Sequence, residues 1–572
     1  MPTCPICLGN FQTTKAGLIR SHGPRSNPCK GSGAAPINKT VATNSNPKEE
    51  SNGSESLAPT AEIDPKLIFN AQTTTIRWIP HNLITLAAES FTDALKHVSD
   101  NPHEKQSWIN LMKWPKTRLS VPSTSNKLSR KERNKALREQ LTAKTSPQTQ
   151  TTQVLHHKTK ETTDEQLERR VRQRIDAGDV RGAMRLVVNE GKVIEPDDKS
   201  AEALRKKHPI GAIIDEDPST EDVSIEPTDE QIRAAIEGMS TGGAPGPDGL
   251  RPSHLKQMTR SKAGLSKDKL FSEIKRFSII CIKGLIPRTA RSSFFGANLI
   301  ALKKKDGGLR PIAIGLVLRR LVSRSVCISS REKAKNLLSP FQLGVGIAGG
   351  AEAATHATRR FLSQKNDALG IVKLDFANAF NCVTRKQIIE SVGLFLPELR
   401  NYVVAAYATP SALLFGSQVI MSACGVQQGD PIGPLLFAIS IRHITHSSTA
   451  PFVVWYLDDA TLGGTAEEVC RELARARAAA SAIGLELNTQ KCEAVSDSAS
   501  FADKVRALLP DCKTILPEHC ELLGAPLSPK AADQCLTRKA AILETITPRL
   551  ARLGRHDAHA LLRCSLGHPR VT

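Results

Sequence analysis

Three features of the sequence predict an α+β fold. Short apolar runs of strand character stand at 298–302, 371–374 and 452–456, helical patterns alternate with them up to about residue 525, and glycine-rich turns punctuate both. At 572 residues the chain is longer than one hydrophobic core usually supports, so a large multi-lobed domain with attached modules and linkers is expected. The formal net charge of +21 favours a polyanionic partner over an acidic small molecule. No apolar run reaches the roughly 18 residues of a membrane span, and no signal-peptide core opens the chain. An intracellular protein, nuclear or cytoplasmic and without a membrane partner, is expected. Thirteen cysteines, most of them scattered singly as at Cys281, Cys327 and Cys424, fit a reducing compartment.

Taken in order, residues 1–30 carry Cys4 and Cys7 separated by two residues, then His22 and Cys29, with Phe11 and Leu18 between them. This resembles a C2H2-type zinc finger whose last ligand is cysteine, a CCHC set that would need Zn2+ because so short a segment has no sufficient core without it. The spacings are slightly long, which leaves a disordered tail as the alternative. Residues 31–75, rich in Ser, Asn, Thr, Gly and Pro, read as a flexible linker. Apolar residues from Ile76 to Trp114 predict short helices over 76–119, and the basic, polar stretch 120–163 reads as a second, disordered linker able to touch phosphates. A helical extension covers 164–260: Leu167, Val171 and Ile175, then Val180, Ala183 and Leu186, form a hairpin of helices broken at Gly178. Within it, Thr228 and Gln231 make a capping box that starts a helix leading to the turn GGAPGPDGL at 242–250.

The chemistry lies farther on. VVWYLDDATLGG at 453–464 reads as a hairpin that displays Asp458 and Asp459 at its tip. Asp-Asp in a turn is commonly turn chemistry alone. The strand in IVKLDFANAF at 371–380, however, ends in Asp375, and a carboxylate at the end of a buried strand is costly unless something compensates it. Magnesium would, since a two-metal site about 3.5 to 4 Å across needs carboxylates from separate elements. GVQQGDPIGPLLF at 425–437 has glycines that permit close approach, Asp430 as a cap and Pro431 at a helix start, with an ordinary loop-to-helix junction as the alternative. LIALKKKDGGLRPIAI at 299–314 reads as a cationic hairpin able to clamp a triphosphate, or as a solvated edge.

In chain order, LKKKDGGLRPIAI, QLGVGIAGG, KLDFANAF, GVQQGDPIGPLLF, YLDD, GLELNTQKCE and LLGAPLS resemble the successive motifs of reverse transcriptases over about 299–528. GAPGPDGLRPSHL and VRQRIDAGDVRGAMRLV are similar to the extension that precedes the polymerase in non-LTR (LINE-like) retrotransposon proteins. The resemblance implies a right-hand polymerase: fingers over 261–350, a ferredoxin-like palm with primer grip over 351–528, and a partial thumb begun at 529–572. It implies that Asp375 and Asp458 bind two Mg2+ ions with Asp459 in support. Tyr456 would brace the primer end, and Phe380 would screen the sugar 2′ carbon in favour of dNTPs. Lys303 or Lys304, with Arg310, would contact the triphosphate, Gln428 and Gly429 would lie along the nucleotide, and Lys491 would protonate pyrophosphate. An RNA template, a DNA primer or target DNA and dNTPs are the implied partners. Relatives usually carry an endonuclease, and none is read here, so a C-terminally truncated element product of reduced activity is expected. A viral RNA polymerase would carry Gly-Asp-Asp and a polar gate in place of Tyr456 and Phe380; a catalytically inactive nucleic-acid-binding remnant is the other alternative.

Overall fold

The computed structural model describes residues 64–69, 73–121, 128–143, 164–176, 178–188, 193–220, 223–260, 264–304, 307–364, 366 and 368–566. The proposed zinc ligands Cys4, Cys7, His22 and Cys29 lie outside the described residues, as does most of the first linker. No helix among the described residues is long and apolar enough to cross a membrane.

Twelve strands follow one another among the described residues: β1 (Val193–Ile194), β2 (Ala297–Lys303), β3 (Leu309–Gly315), β4 (Leu369–Leu374), β5 (Ser411–Phe415), β6 (Gln418–Ser422), β7 (Phe452–Tyr456), β8 (Asp459–Thr465), β9 (Glu493–Val495), β10 (Lys513–Ile515), β11 (Glu521–Leu522) and β12 (Ala525–Pro526). In the first sheet β2 pairs along one edge with β3, and its other edge is shared by β1 and by β5, which continues into β6. The second sheet has the order β10-β9-β4-β8-β7, with β4 central and antiparallel to both neighbours. Helices cover β4 on both faces, so Ile371, Val372 and Leu374 are all buried; Lys373, between them, pairs with Glu493 of β9.

Helices supply most of the remaining core. Ile84–Asp100 packs on Lys105–Arg118 and on Ser266–Ile282, and the fully buried Trp108 meets the rings of Phe277 and Phe294 at 5.6 and 5.2 Å. The expectation of a disordered linker through 120–163 is corrected in its middle, where Arg130–Thr142 is a helix. Ser129 and Glu132 cap it reciprocally, and Leu137 and Leu141, one turn apart, are both buried. Charge dominates that stretch and hides the two leucines that anchor it.

The helical hairpin of the extension is present as Asp164–Asp176 and Val180–Val188. Its apolar side, Val171, Ala183 and Val187, packs with Ile546 and Leu550 of the helix Pro529–Ala551, Leu561 of the helix Arg555–Leu561 and Leu553 between them. Arg549 donates to the Val187 carbonyl at 2.8 Å, and Arg172 pairs with Asp557 at 3.1 Å. Two segments more than 350 residues apart in sequence therefore share one apolar cluster. Not all of 164–260 is helical either: residues 209–219 have no regular secondary structure and are fastened where Asn401 exchanges two hydrogen bonds with the Ser219 backbone, at 2.8 and 3.1 Å, and where Arg291 meets Asp217 at 2.5 Å.

The capping box at Thr228 and Gln231 starts the helix Asp229–Glu237 as expected. Beyond the glycine-rich turn, buried His254 donates through Nε2 to the Ile76 carbonyl at 2.7 Å and accepts the Arg251 amide on Nδ1 at 3.4 Å. This arrangement needs the neutral ring, and burial pushes its pKa down to about 4. The unfolded chain then binds the extra proton between about 6.5 and 4, so His254 contributes stability above pH 6.5 that is lost as pH falls toward 4. Buried Asp248, pushed up to about 7 by desolvation, titrates in the opposite sense, so the sign is isolated by comparing wild type with His254→Gln. Denaturant titrations should show the wild-type advantage shrinking by roughly 3 kcal/mol between pH 7 and pH 4. A pH-independent difference contradicts this.

Candidate active site

Asp375 leaves the end of β4, and its surroundings are fixed by backbone bonds to a distant loop. The Asn488 amide donates to the Asp375 carbonyl and the Ala377 amide to the Glu486 carbonyl, both at 2.8 Å. The Asn488 side chain also bonds the Asp375 carboxylate. In the β7–β8 hairpin, Tyr456 pairs with Asp459, so the two turn residues are Leu457 and Asp458. The hairpin tip is thus not a symmetrical pair of carboxylates: Asp458 occupies the turn, and Asp459 is the exposed first residue of β8. Because Leu374 stands opposite Ala460, the register brings Asp375 level with Asp459.

The carboxylates are linked electrostatically through Asp458 and Asp459. Burial raises the pKa of Asp375, against the pull of Lys491, the bond from Asn488 and the charge of Lys304. Burial and then the Asp375 charge raise Asp458, opposed by Arg310 and Lys304. Asp459 is pushed up to about 6 by desolvation and by the negative charges of Asp458 and Asp375. Among the described residues no three His, Cys, Asp or Glu side chains are drawn together as a ready-made ligand cluster. The three line one cavity, where Asp375 opposes the ionisation of Asp458 and both oppose that of Asp459.

That cavity, about 1450 Å3, is lined by Asp375, Asp458 and Asp459 together with Phe380, Gln428 and Lys491. Facing them, the β2–β3 hairpin contributes Lys303, Lys304 and Arg310. Of the lysines, Lys304 is the one whose charge acts on Asp375 and Asp458. Tyr456 and Gly429 are not among the lining residues. Gly429, at φ +126°, instead lets its loop press on β3: a Cβ there would lie 2.2 Å from the Ala313 carbonyl, and the Ala313 amide donates to the Gln428 carbonyl at 2.7 Å. Phe380 stacks on Phe437 with centroids 4.8 Å apart.

The sequence assigned Asp430 to a cap and the helix start to Pro431. The helix begins at Gly433. Asp430 Oδ1 accepts the Ile432 amide at 3.4 Å just ahead of it, and the same carboxylate makes a buried ion pair with Arg319 at 2.6 Å, supported by the Tyr407 hydroxyl at 2.9 Å. Three other residues of the site were not anticipated. Asn488 lies in GLELNTQKCE but gives no sign of reaching back to Asp375, Lys207 enters the cavity from the C-terminal end of the helix Asp198–Lys206, and Gln342 supports the hairpin from behind.

Residues 302–527 match the family described as reverse transcriptase (RNA-dependent DNA polymerase). The chain is similar to the retrotransposable element SLACS 132 kDa protein of Trypanosoma brucei gambiense, 26% identical over 282 residues that cover 47% of this chain and 23% of that protein. It is likewise similar to the Pol polyprotein from the type-2 retrotransposable element R2DM of Drosophila melanogaster, 27% identical over 244 residues, 40% of this chain and 21% of the other. A third relative, the Pol polyprotein from the type-1 retrotransposable element R2 of Nasonia vitripennis, is 25% identical over 286 residues, 46% of this chain and 26% of the other. The chain spans about a quarter of the length of these relatives. The stretch that carries the carboxylates is a reverse transcriptase domain, homologous to proteins of non-LTR retrotransposable elements.

Proposed function

We propose that this chain is an RNA-directed DNA polymerase of a non-LTR retrotransposon, adding dNTPs to a primer 3′-hydroxyl at a two-metal site. The observation that carries the reading is the convergence of Asp375 with Asp458 and Asp459, from stretches about 80 residues apart, on one cavity faced by Lys304 and Arg310. In this reading the β2–β3 hairpin belongs to the fingers, the β10-β9-β4-β8-β7 sheet is the palm, β11 and β12 form the primer grip, and 529–566 begin the thumb.

The carboxylates of Asp375 and Asp458, with Asp459 in support, fit two Mg2+ ions: they are oxygen donors whose mutual repulsion a cation removes. Bound there, the ions would lower the pKa of the primer hydroxyl and neutralise the triphosphate. The chain's own groups do the rest. Lys304 and Arg310 hold the triphosphate, Gln428 lies along the nucleotide, Gly429 sets the approach of its loop, and Tyr456 braces the primer. Lys491, on the exposed rim of the cavity, donates the proton to pyrophosphate. Template pairing selects the base, so protein contacts go to backbone and shape. The N-terminal Cys4, Cys7, His22 and Cys29 would hold structural Zn2+ and touch target DNA.

Phe380, held flat against Phe437, closes the nucleotide pocket on the sugar. Phe380→Val should reduce discrimination against ribonucleotides by about 100-fold, read as the ratio of kcat/KM for dNTP and rNTP; an unchanged ratio removes Phe380 from that role. The function itself is tested with an annealed RNA template and DNA primer, dNTPs and Mg2+. Extension that disappears when the metal is chelated is expected. RNA binding with no extension would make the chain a binding protein instead.

A further inference from the structure

A two-residue hairpin turn is usually built from residues that accept a positive φ at little cost, above all glycine and asparagine. The turn of the β7–β8 hairpin instead has leucine first: Leu457 sits at φ +57°, one of three non-glycine residues at positive φ among the described residues. A branched side chain in that region costs on the order of 1–3 kcal/mol and persists only where the surroundings impose it. What imposes it is the side chain of Gln342. Its Oε1 accepts the Leu457 amide at 2.7 Å, and its Nε2 donates to the Leu457 carbonyl at 3.1 Å. The same Oε1 accepts the Gly344 amide at 3.0 Å, which locks the carboxamide orientation, and Gln342 is fully buried.

Backbone bonds on either side extend the grip. The Trp455 amide donates to the Phe341 carbonyl and the Leu343 amide to the Trp455 carbonyl, both at 2.8 Å, so residues 341–343 run beside β7 as a short parallel bridge. The carboxamide continues that ladder one step beyond the end of the strand. Gly344 permits it: a Cβ there would lie 2.7 Å from the Leu457 amide nitrogen and 3.0 Å from Oε1. The Leu457 carbonyl belongs to the peptide that leads into Asp458, so the bond from Nε2 fixes the plane from which the Asp458 side chain departs.

We infer that Gln342 is a positioning residue for the metal-binding carboxylate of Asp458: its carboxamide holds Leu457 in the left-handed conformation that turns Asp458 into the cavity. In its catalytic part this rests on the polymerase reading; in its metal-binding part it does not.

Gln342→Met keeps the volume and removes the bonds. With full-length protein, single-nucleotide addition should slow by about 100-fold while the dNTP KM changes less than about threefold, the pattern of a misplaced reacting group. Mn2+ affinity, followed by electron paramagnetic resonance without nucleotide, should weaken by about tenfold. Adding Leu457→Gly, which adopts the positive φ without help, should recover about tenfold of the lost rate, a rescue that a merely structural role would not give. If Gln342→Met does not fold, Gln342→Asn, one methylene shorter, takes its place with the same measurements. Wild-type rate and Mn2+ affinity in the variant overturn the inference while leaving the polymerase reading intact. Weakened Mn2+ binding in a chain whose wild type extends no primer leaves the positioning role standing and overturns the polymerase reading.

Discussion

Asp458→Asn should slow nucleotide addition by about 1,000-fold, the rate equivalent of the several kcal/mol that a metal contributes to the transition state. The substitution keeps the size of the side chain and removes its charge from a site where burial and the nearby Asp375 already oppose ionisation. Without metal, then, the variant should be at least as stable as wild type, since one of three mutually repelling carboxylates is neutral. With Mg2+ the order should reverse, because wild type gains stability from an ion that binds the folded state alone and the variant gains less. Single-turnover extension and thermal melting with and without Mg2+ read both effects on the same samples. A variant within tenfold of the wild-type rate, or with an undiminished Mg2+ shift in Tm, would remove Asp458 from the metal site. Asp459, exposed at the start of β8, should be the less sensitive of the pair.

The second large effect concerns stability. Arg319 and Asp430 are each about 1% exposed and pair at 2.6 Å. Arg319 also donates to Gln427 at 2.6 Å and to the Phe295 carbonyl, and Gln427 donates to Ser411 at 2.6 Å. The network binds the loop 425–430 to the helix Val317–Ser329 and to β5. Arg319→Met would leave the Asp430 carboxylate buried with the Tyr407 hydroxyl as its remaining strong partner, at a cost of about 3–5 kcal/mol. The double variant Arg319→Met, Asp430→Leu should be more stable than Arg319→Met alone, since no lone charge stays inside. Denaturant midpoints of the three proteins test this; equal destabilisation in the single and the double variant would show that the charge is not what the pair protects. Arg319→Met should also lose activity, because Gln428 and Gly429 are carried by the same loop.

How the carboxylates meet was only partly legible. β4 ending at Asp375 and the β7–β8 hairpin carrying Asp458 follow from apolar runs and turn residues, which are local signals. That Asp375 stands level with Asp459 follows from the pairing of β4 with β8, and register is decided by which faces are buried once the sheet is assembled. The helix at 130–142 was hidden because its two buried leucines stand in a strongly charged stretch; they are anchored by the helices Ile84–Asp100 and Lys105–Arg118 that precede it. Asp430 makes the local amide bond that its place before a helix suggests, but its ion-pair partner Arg319 lies 111 residues away and no local signal announces it.

What the sequence determined by itself is therefore the set of local elements and the residue types they carry: strand ends bearing aspartate, a cationic hairpin, capping boxes, and glycines where backbones approach closely. Spacing and side-chain chemistry fix these before any long-range contact forms. The tertiary structure alone decided which of the charged groups face one another, that Gln342 holds Leu457 and that the helical hairpin of the extension shares an apolar cluster with residues 546–561. Those outcomes depend on burial and on contacts across more than a hundred residues, where a polar side chain finds its partner only after the apolar faces have closed around it.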